Sequence, residues 1–186
     1  FDAPDFSGLM RACVVISMRF NVICSYGTAE QERTYNAVAE RIARGEIKNL
    51  GSALAVMQGV YPNDAAFRAA FAEKAIRTTP SRNNRVVRFI LCALEKHLSD
   101  ADYSFTSDSF NIEHVLPQNP QAGWETFSDE EADALTYRLG NMTLMQAGQN
   151  KNLGNAAYED KRAVFQQSGF AITRKLATEH AEWTPE

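Results

Sequence analysis

The spacing of apolar residues changes character near residue 100, and no other feature of the sequence constrains the fold as much. Up to that point helical periodicity dominates. Residues 28–45, TAEQERTYNAVAERIARG, set Tyr35, Val38, Ala39 and Ile42 three or four apart, open with a T-x-x-Q capping pattern and stop at Gly45. Residues 9–22 are apolar enough for a buried helix, although their Val, Ile and Cys leave a strand open. Shorter helices are expected over about 50–58 and behind Asn63 and Asp64, the latter carrying Phe67, Phe71 and Ile76. In residues 82–97, RNNRVVRFILCALEKH, the spacing gives a core face of Val86, Phe89, Ile90 and Leu94.

After a polar connector at 100–104 the chain alternates instead. Residues 105–117, FTSDSFNIEHVLP, predict a strand, and Pro117 prevents it from continuing as an interior ladder partner. Residues 128–140 predict a helix with an S-x-x-E box from Ser128 to Glu131. Over 141–155 a short β-like run passes into an Asn- and Gly-rich turn, and helices are expected over 156–169 and 170–183. The expected fold class is α+β and mostly α-helical, with a helical domain over 1–100 and a second domain over 101–186.

Composition narrows the function classes. An apolar fraction of 45% over 186 residues fills an ordinary core. No uninterrupted apolar run of about 18 residues and no signal-peptide pattern occurs, so a membrane partner is not expected. Because the chain begins at Phe1, it is expected to be a piece of a longer protein, and a signal could lie upstream. Three widely spaced cysteines, Cys13, Cys24 and Cys92, fit neither a disulfide framework nor a zinc knuckle, and point to free thiols in a reducing, cytoplasmic setting. The net charge of −4 hides an asymmetry: 13 Lys and Arg against 10 Asp and Glu through residue 100, then 6 against 13. For a polyanion to bind the acidic half, a metal ion or local basic side chains are needed.

Three groups in that half have chemical potential. His114 ends the expected strand beside Glu113, where a general base would sit next to a metal-binding carboxylate. Asn141 follows Leu139 and Gly140, and nine positions later Asn150, in the segment Gln149-Asn150-Lys151-Asn152, is expected to open a helix. Each taken alone reads equally as structure: a half-buried histidine, a turn-pinning amide, a helix cap. Arg82, Arg85 and Arg88 recur at i, i+3 and i+6, either as a solvated basic face or as a phosphate-contacting stripe. His97 suits the C-terminal end of its helix and His180 the surface. Trp124, Phe127 and Tyr137 read as core.

In combination, the Glu-His pair with its following proline, the Gly-Asn and the later Asn resemble the HNH, or ββα-metal, nuclease finger. More specifically, IEHVLPQN, Trp124, YRLGNMTLM, QNKNLGN and YEDKRAVF resemble the C-terminal nuclease domain of GmrSD-type, modification-dependent restriction enzymes, over about residues 110–165. The preceding helices, with FILCALEKHL, resemble the segment that joins this domain to an upstream ParB-like NTPase domain. The resemblance implies a helical bundle followed by a ββα-metal finger wrapped by helices. It implies that His114 is the general base, Glu113 a metal ligand, Asn141 the loop-holding residue and Asn150 the helix ligand, with Asn152 as the alternative. An amide oxygen in that place suits Mg²⁺ or Mn²⁺ better than zinc, and no structural zinc is expected. Lys151, Lys161 and Arg162 are the nearest basic residues for flanking phosphates, although Lys161 and Arg162 also fit a solvated helix face. The implied partners are double-stranded DNA, of phage in a bacterial defence system, and the upstream NTPase domain. One finger cuts one strand, so nicking is expected unless a homo-oligomer forms. Two other classes stay open, a non-catalytic DNA-binding module and an RNase.

Overall fold

The computed structural model describes residues 1–185, apart from the side chains of 150–152. It is α+β and mostly helical, and it divides into two compact units, 1–74 and 75–186.

The first unit is helical. Helix α1 (Ala3–Ser17) is capped by the Asp2 carboxylate on the Asp5 N–H and continues through a π-helical turn, Met18–Ile23. Helix wins over strand for residues 9–22 because one face, Leu9, Ile16, Phe20 and Ile23, is buried. The combined helix Ala3–Ile23 is long and apolar enough to cross a membrane by length and composition, against the expectation from the lack of an uninterrupted apolar run. Helix α2 (Thr28–Ala43) ends in a Schellman motif, with Glu46 N–H on Arg41 O and Gly45 N–H on Ile42 O, and Gly45 takes a φ of 73°. Its start differs from the expected capping box. Gly27 is the N-cap, and Gln31 turns inward to donate to Ser17 Oγ and Tyr35 OH. Helices α3 (Leu50–Met57) and α4 (Asp64–Ala72) start on the side-chain caps Asn49 and Asn63. Ala53, Met57 and Val60 complete the core around Leu9, Val38 and Ile47.

The second unit holds α5 (Ser81–Ser99), β1 (Phe110–His114), α6 (Asp129–Leu135), β2 (Met142–Gln146), α7 (Ala147–Leu153), α8 (Tyr158–Gln166) and α9 (Ala171–Glu179). Strands β1 and β2 pair antiparallel, with Glu113 opposite Thr143 and His114 opposite Met142. Helix α7 follows β2 directly, where a turn was expected, and packs on both strands. The Ser128–Glu131 box forms in both directions at the start of α6.

Helix α5 belongs to the second unit, so the compact units divide at 74/75 rather than near residue 100. Its buried face is Val87, Arg88, Ile90, Leu91, Cys92 and Glu95, whereas Phe89 and Leu94 are exposed. The apolar count alone put the core face one position off, because two charged residues share the true face. Both are fully used. Glu95 accepts from the Ala171 and Ile172 N–H groups at 2.9 Å each, capping α9 from outside. Arg88 donates to the carbonyls of Phe105, Ser107 and Phe110, which ties the connector and β1 to α5.

Candidate active site

His114 is the last residue of β1, and the chain must turn away there because Pro117 follows. The turn is held by Asn141 at the foot of β2. Its Oδ1 accepts from Leu116 N–H at 2.8 Å, and its Nδ2 donates to Leu116 O and Thr136 O at 2.9 Å. Trp183 Nε1 adds a fourth bond to Oδ1 at 3.1 Å, and Val115 N–H donates to the Asn141 carbonyl. With every polar atom engaged and 4% exposure, Asn141 is a loop clamp with no group left for a ligand.

The register that puts His114 at the strand end turns Glu113 inward, where it is 5% exposed. Lys161 of α8 meets it there. The Lys161 ammonium, with no exposure, lies 2.6 Å from Glu113 Oε1 and donates to His114 O at 2.7 Å. Lys161 therefore is not a solvated helix face or a phosphate contact: it is an internal counterion. The signal was present in the sequence, since Tyr158, Lys161 and Phe165 stand at i, i+3 and i+7, and all three are buried. Burial raises the Glu113 carboxyl above the usual carboxylate range, against the pull of Lys161, and burial likewise lowers the Lys161 ammonium. Burial, reinforced by the Lys161 charge, lowers His114 to about 4, so its imidazole is neutral at physiological pH.

The ring of His114 is set by two neighbours that sequence reasoning missed. Its Nε2 lies 3.4 Å from Thr78 Oγ1, and its face meets Tyr137 nearly perpendicular at a centroid distance of 5.7 Å. Tyr137 in turn stacks under the Arg77 guanidinium, and its carbonyl accepts from Ile76 N–H at 2.8 Å. Nothing in the local pattern of residues 76–79 marks them, because they are brought to the site by the start of α5.

Glu113 and His114 open onto one polar cleft of about 370 Å³, whose walls include Thr78, Asn84, Gln118 and Asn155. Its polar lining offers one carboxylate, that of Glu113, beside the His114 imidazole and the hydroxyl and amide groups of Thr78, Asn84, Gln118 and Asn155. Among the described residues no cluster of three or more His, Cys, Asp or Glu is arranged around a metal position, so Glu113 is the carboxylate available.

The other expected site residues scatter. Arg88 is consumed by backbone carbonyls and is not part of a solvent-facing stripe, whereas Arg82 and Arg85 are exposed. Arg162 is half-buried and donates to Ala177 O at 2.9 Å. Asn150, Lys151 and Asn152 fall within α7, but their side chains lie outside the described residues.

The sequence of residues 61–186 matches the family model of the C-terminal domain of GmrSD restriction endonucleases. The chain belongs to that family. This confirms the expected resemblance and extends it upstream through α4 and α5, well before β1. Among curated proteins, none matches the chain. Membership in the GmrSD C-terminal family carries a restriction endonuclease role, with DNA as the substrate. All of the cleft residues around His114 lie within the matched span.

Proposed function

We propose that the second unit is a metal-dependent DNA endonuclease of the HNH, or ββα-metal, type, which nicks one strand by hydrolysis with His114 as general base. The observation that carries this reading is the placement of His114 and Glu113 in one polar cleft at the end of β1, beneath a loop clamped by Asn141. The paired strands β1 and β2, separated in sequence by α6 and followed by α7 packed on both, support a ββα finger with an inserted helix.

His114 begins the reaction neutral, as a proton acceptor must. In the tautomer that carries its proton on Nε2, the ring donates to Thr78 Oγ1, 3.4 Å away, and leaves Nδ1 to take the proton of the attacking water. Tyr137 and the His114 carbonyl contact with Lys161 hold the imidazole in one orientation. Glu113 would hold a Mg²⁺ or Mn²⁺ ion, with Asn150 as the second ligand that the sequence resemblance implies, and the ion would supply charge neutralisation at the scissile phosphate and the departing 3′ oxygen. Lys161 keeps the Glu113 carboxylate oriented, while Asn141 fixes the following loop. Nicking fits one site per chain. We place such a domain in defence against phage DNA, under an upstream NTPase domain, on the strength of the sequence resemblance.

Plasmid nicking in Mg²⁺ or Mn²⁺, wild type against His114→Ala, tests the reading. Relaxation of supercoiled plasmid by the wild type, its loss on adding EDTA, and a drop of at least about 100-fold in the variant are expected. Equal nicking by both proteins removes His114 from the role of base.

A further inference from the structure

The cleft at His114 does not end there. Thr78, Thr79 and Asn84 line it and also line a second cleft, of about 370 Å³. The shared residues make the two clefts neighbours in one polar groove of the second unit, with the second cleft beside the first turns of α5. The second cleft is lined by Arg85 and Arg88, with Asp108 as its one acidic residue.

Arg88 gives that end of the groove an unusual charge balance. It is 9% exposed, and its three hydrogen-bond partners are neutral backbone carbonyls. No carboxylate pairs with it among the described residues, so a full positive charge lies within the groove wall without a counterion. A buried cation in low-dielectric surroundings projects its field toward the nearest water-filled space, which here is the groove. Arg85, one turn earlier on α5, is exposed at the same cleft, and its side chain makes no hydrogen bond or ion pair among the described residues. Hydroxyls and an amide from Thr78, Thr79 and Asn84 continue the polar wall back to His114, with donors suited to phosphate oxygens.

We propose that this end of the groove is a phosphate subsite for the DNA backbone flanking the scissile bond, with Arg85 as its contacting residue and Arg88 as its fixed internal charge. The proposal rests on the nuclease reading of His114 and adds the direction in which the cleaved strand runs. Two arginines at one subsite also answer how an acidic half of the chain tolerates a polyanion, since both come from the basic half of the sequence.

The test uses the full chain and a fluorescein-labelled duplex DNA, with binding followed by anisotropy at several salt concentrations in a His114→Ala background. Arg85→Glu is expected to weaken binding about tenfold or more, and Arg85→Ala to lower the slope of log affinity on log salt by about one. Arg33→Glu, an equal charge change at an exposed position of α2, is expected to leave affinity within about twofold. With His114 intact, Arg85→Glu should slow plasmid nicking by about tenfold, less so at saturating DNA. Unchanged binding and nicking by Arg85→Glu, while the wild type nicks and His114→Ala does not, overturns the subsite and leaves the nuclease reading standing. An equal loss from Arg33→Glu also overturns it, because long-range charge then explains the effect. A wild type that neither binds nor nicks DNA overturns both.

Discussion

The Lys161 ammonium is buried between Glu113 Oε1, at 2.6 Å, and the carbonyl of His114, at 2.7 Å. One side chain thus neutralises the carboxylate and pins the strand end that presents the imidazole. Removing the cation leaves a buried carboxylate with no counterion, so Lys161→Met should lower stability by about 3–5 kcal/mol, read from urea denaturation. The double variant Glu113→Leu with Lys161→Met should recover much of that loss, because neither charge is then buried alone. It should not recover nicking. Recovery of nicking would show that the pair serves stability only.

Asn141 makes its four side-chain bonds in a place with 4% exposure. Asn141→Ala strands the Leu116 N–H and the carbonyls of Leu116 and Thr136, each at about 1–3 kcal/mol if water cannot reach them. A total of about 3 kcal/mol or more is expected in chemical denaturation, together with loss of nicking. Asn141→Asp should be nearly as damaging, since a carboxylate cannot donate to the two carbonyls.

The lowered pKa of His114 has a definite sign. Folded, the ring titrates near 4; unfolded, near its ordinary 6.5. Between those values the unfolded chain binds more protons, so stability is fully present above pH 6.5 and is lost as pH falls toward 4. Denaturation midpoints across pH 4–7 should fall on the acid side in the wild type and fall less in His114→Phe. The acid limb of nicking should likewise lie below pH 6.5, because the base stays unprotonated well under that value. An acid limb at or above 6.5 would contradict this environment for the ring.

Arg88 links three carbonyls of the connector and β1 to α5. Arg88→Lys keeps the charge but cannot reach all three acceptors with one ammonium, so a loss of about 2 kcal/mol is expected, with Arg88→Ala losing more. Thermal or urea denaturation of the two variants checks the order. A lysine variant as stable as the wild type would mean that charge, not the fork of donors, matters there.

Much of the fold was legible. The helices of the first unit, the strand ending at His114, the capping box at Ser128 and the stop at Gly45 all follow from local spacing and caps, which depend on residues a few positions apart. The site was legible in part, since Glu113, His114 and Asn141 could be named from the motif. Where reading failed, a charged residue sat on an apolar face. Arg88 and Glu95 displaced the expected core face of α5, and Lys161 looked like surface while serving as a counterion.

By itself the sequence determined most of the elements, though not helix α7, together with the family to which the chain belongs and the pair at the end of β1. Only the tertiary structure decided that Lys161 closes on Glu113 across 48 positions, that Thr78 and Tyr137 frame the imidazole, and that Arg88 turns inward while Arg85 remains outside. The reason is physical. Periodicity records which residues share a face, whereas the partner that makes a buried charge tolerable comes from a distant segment and leaves no mark in the local pattern.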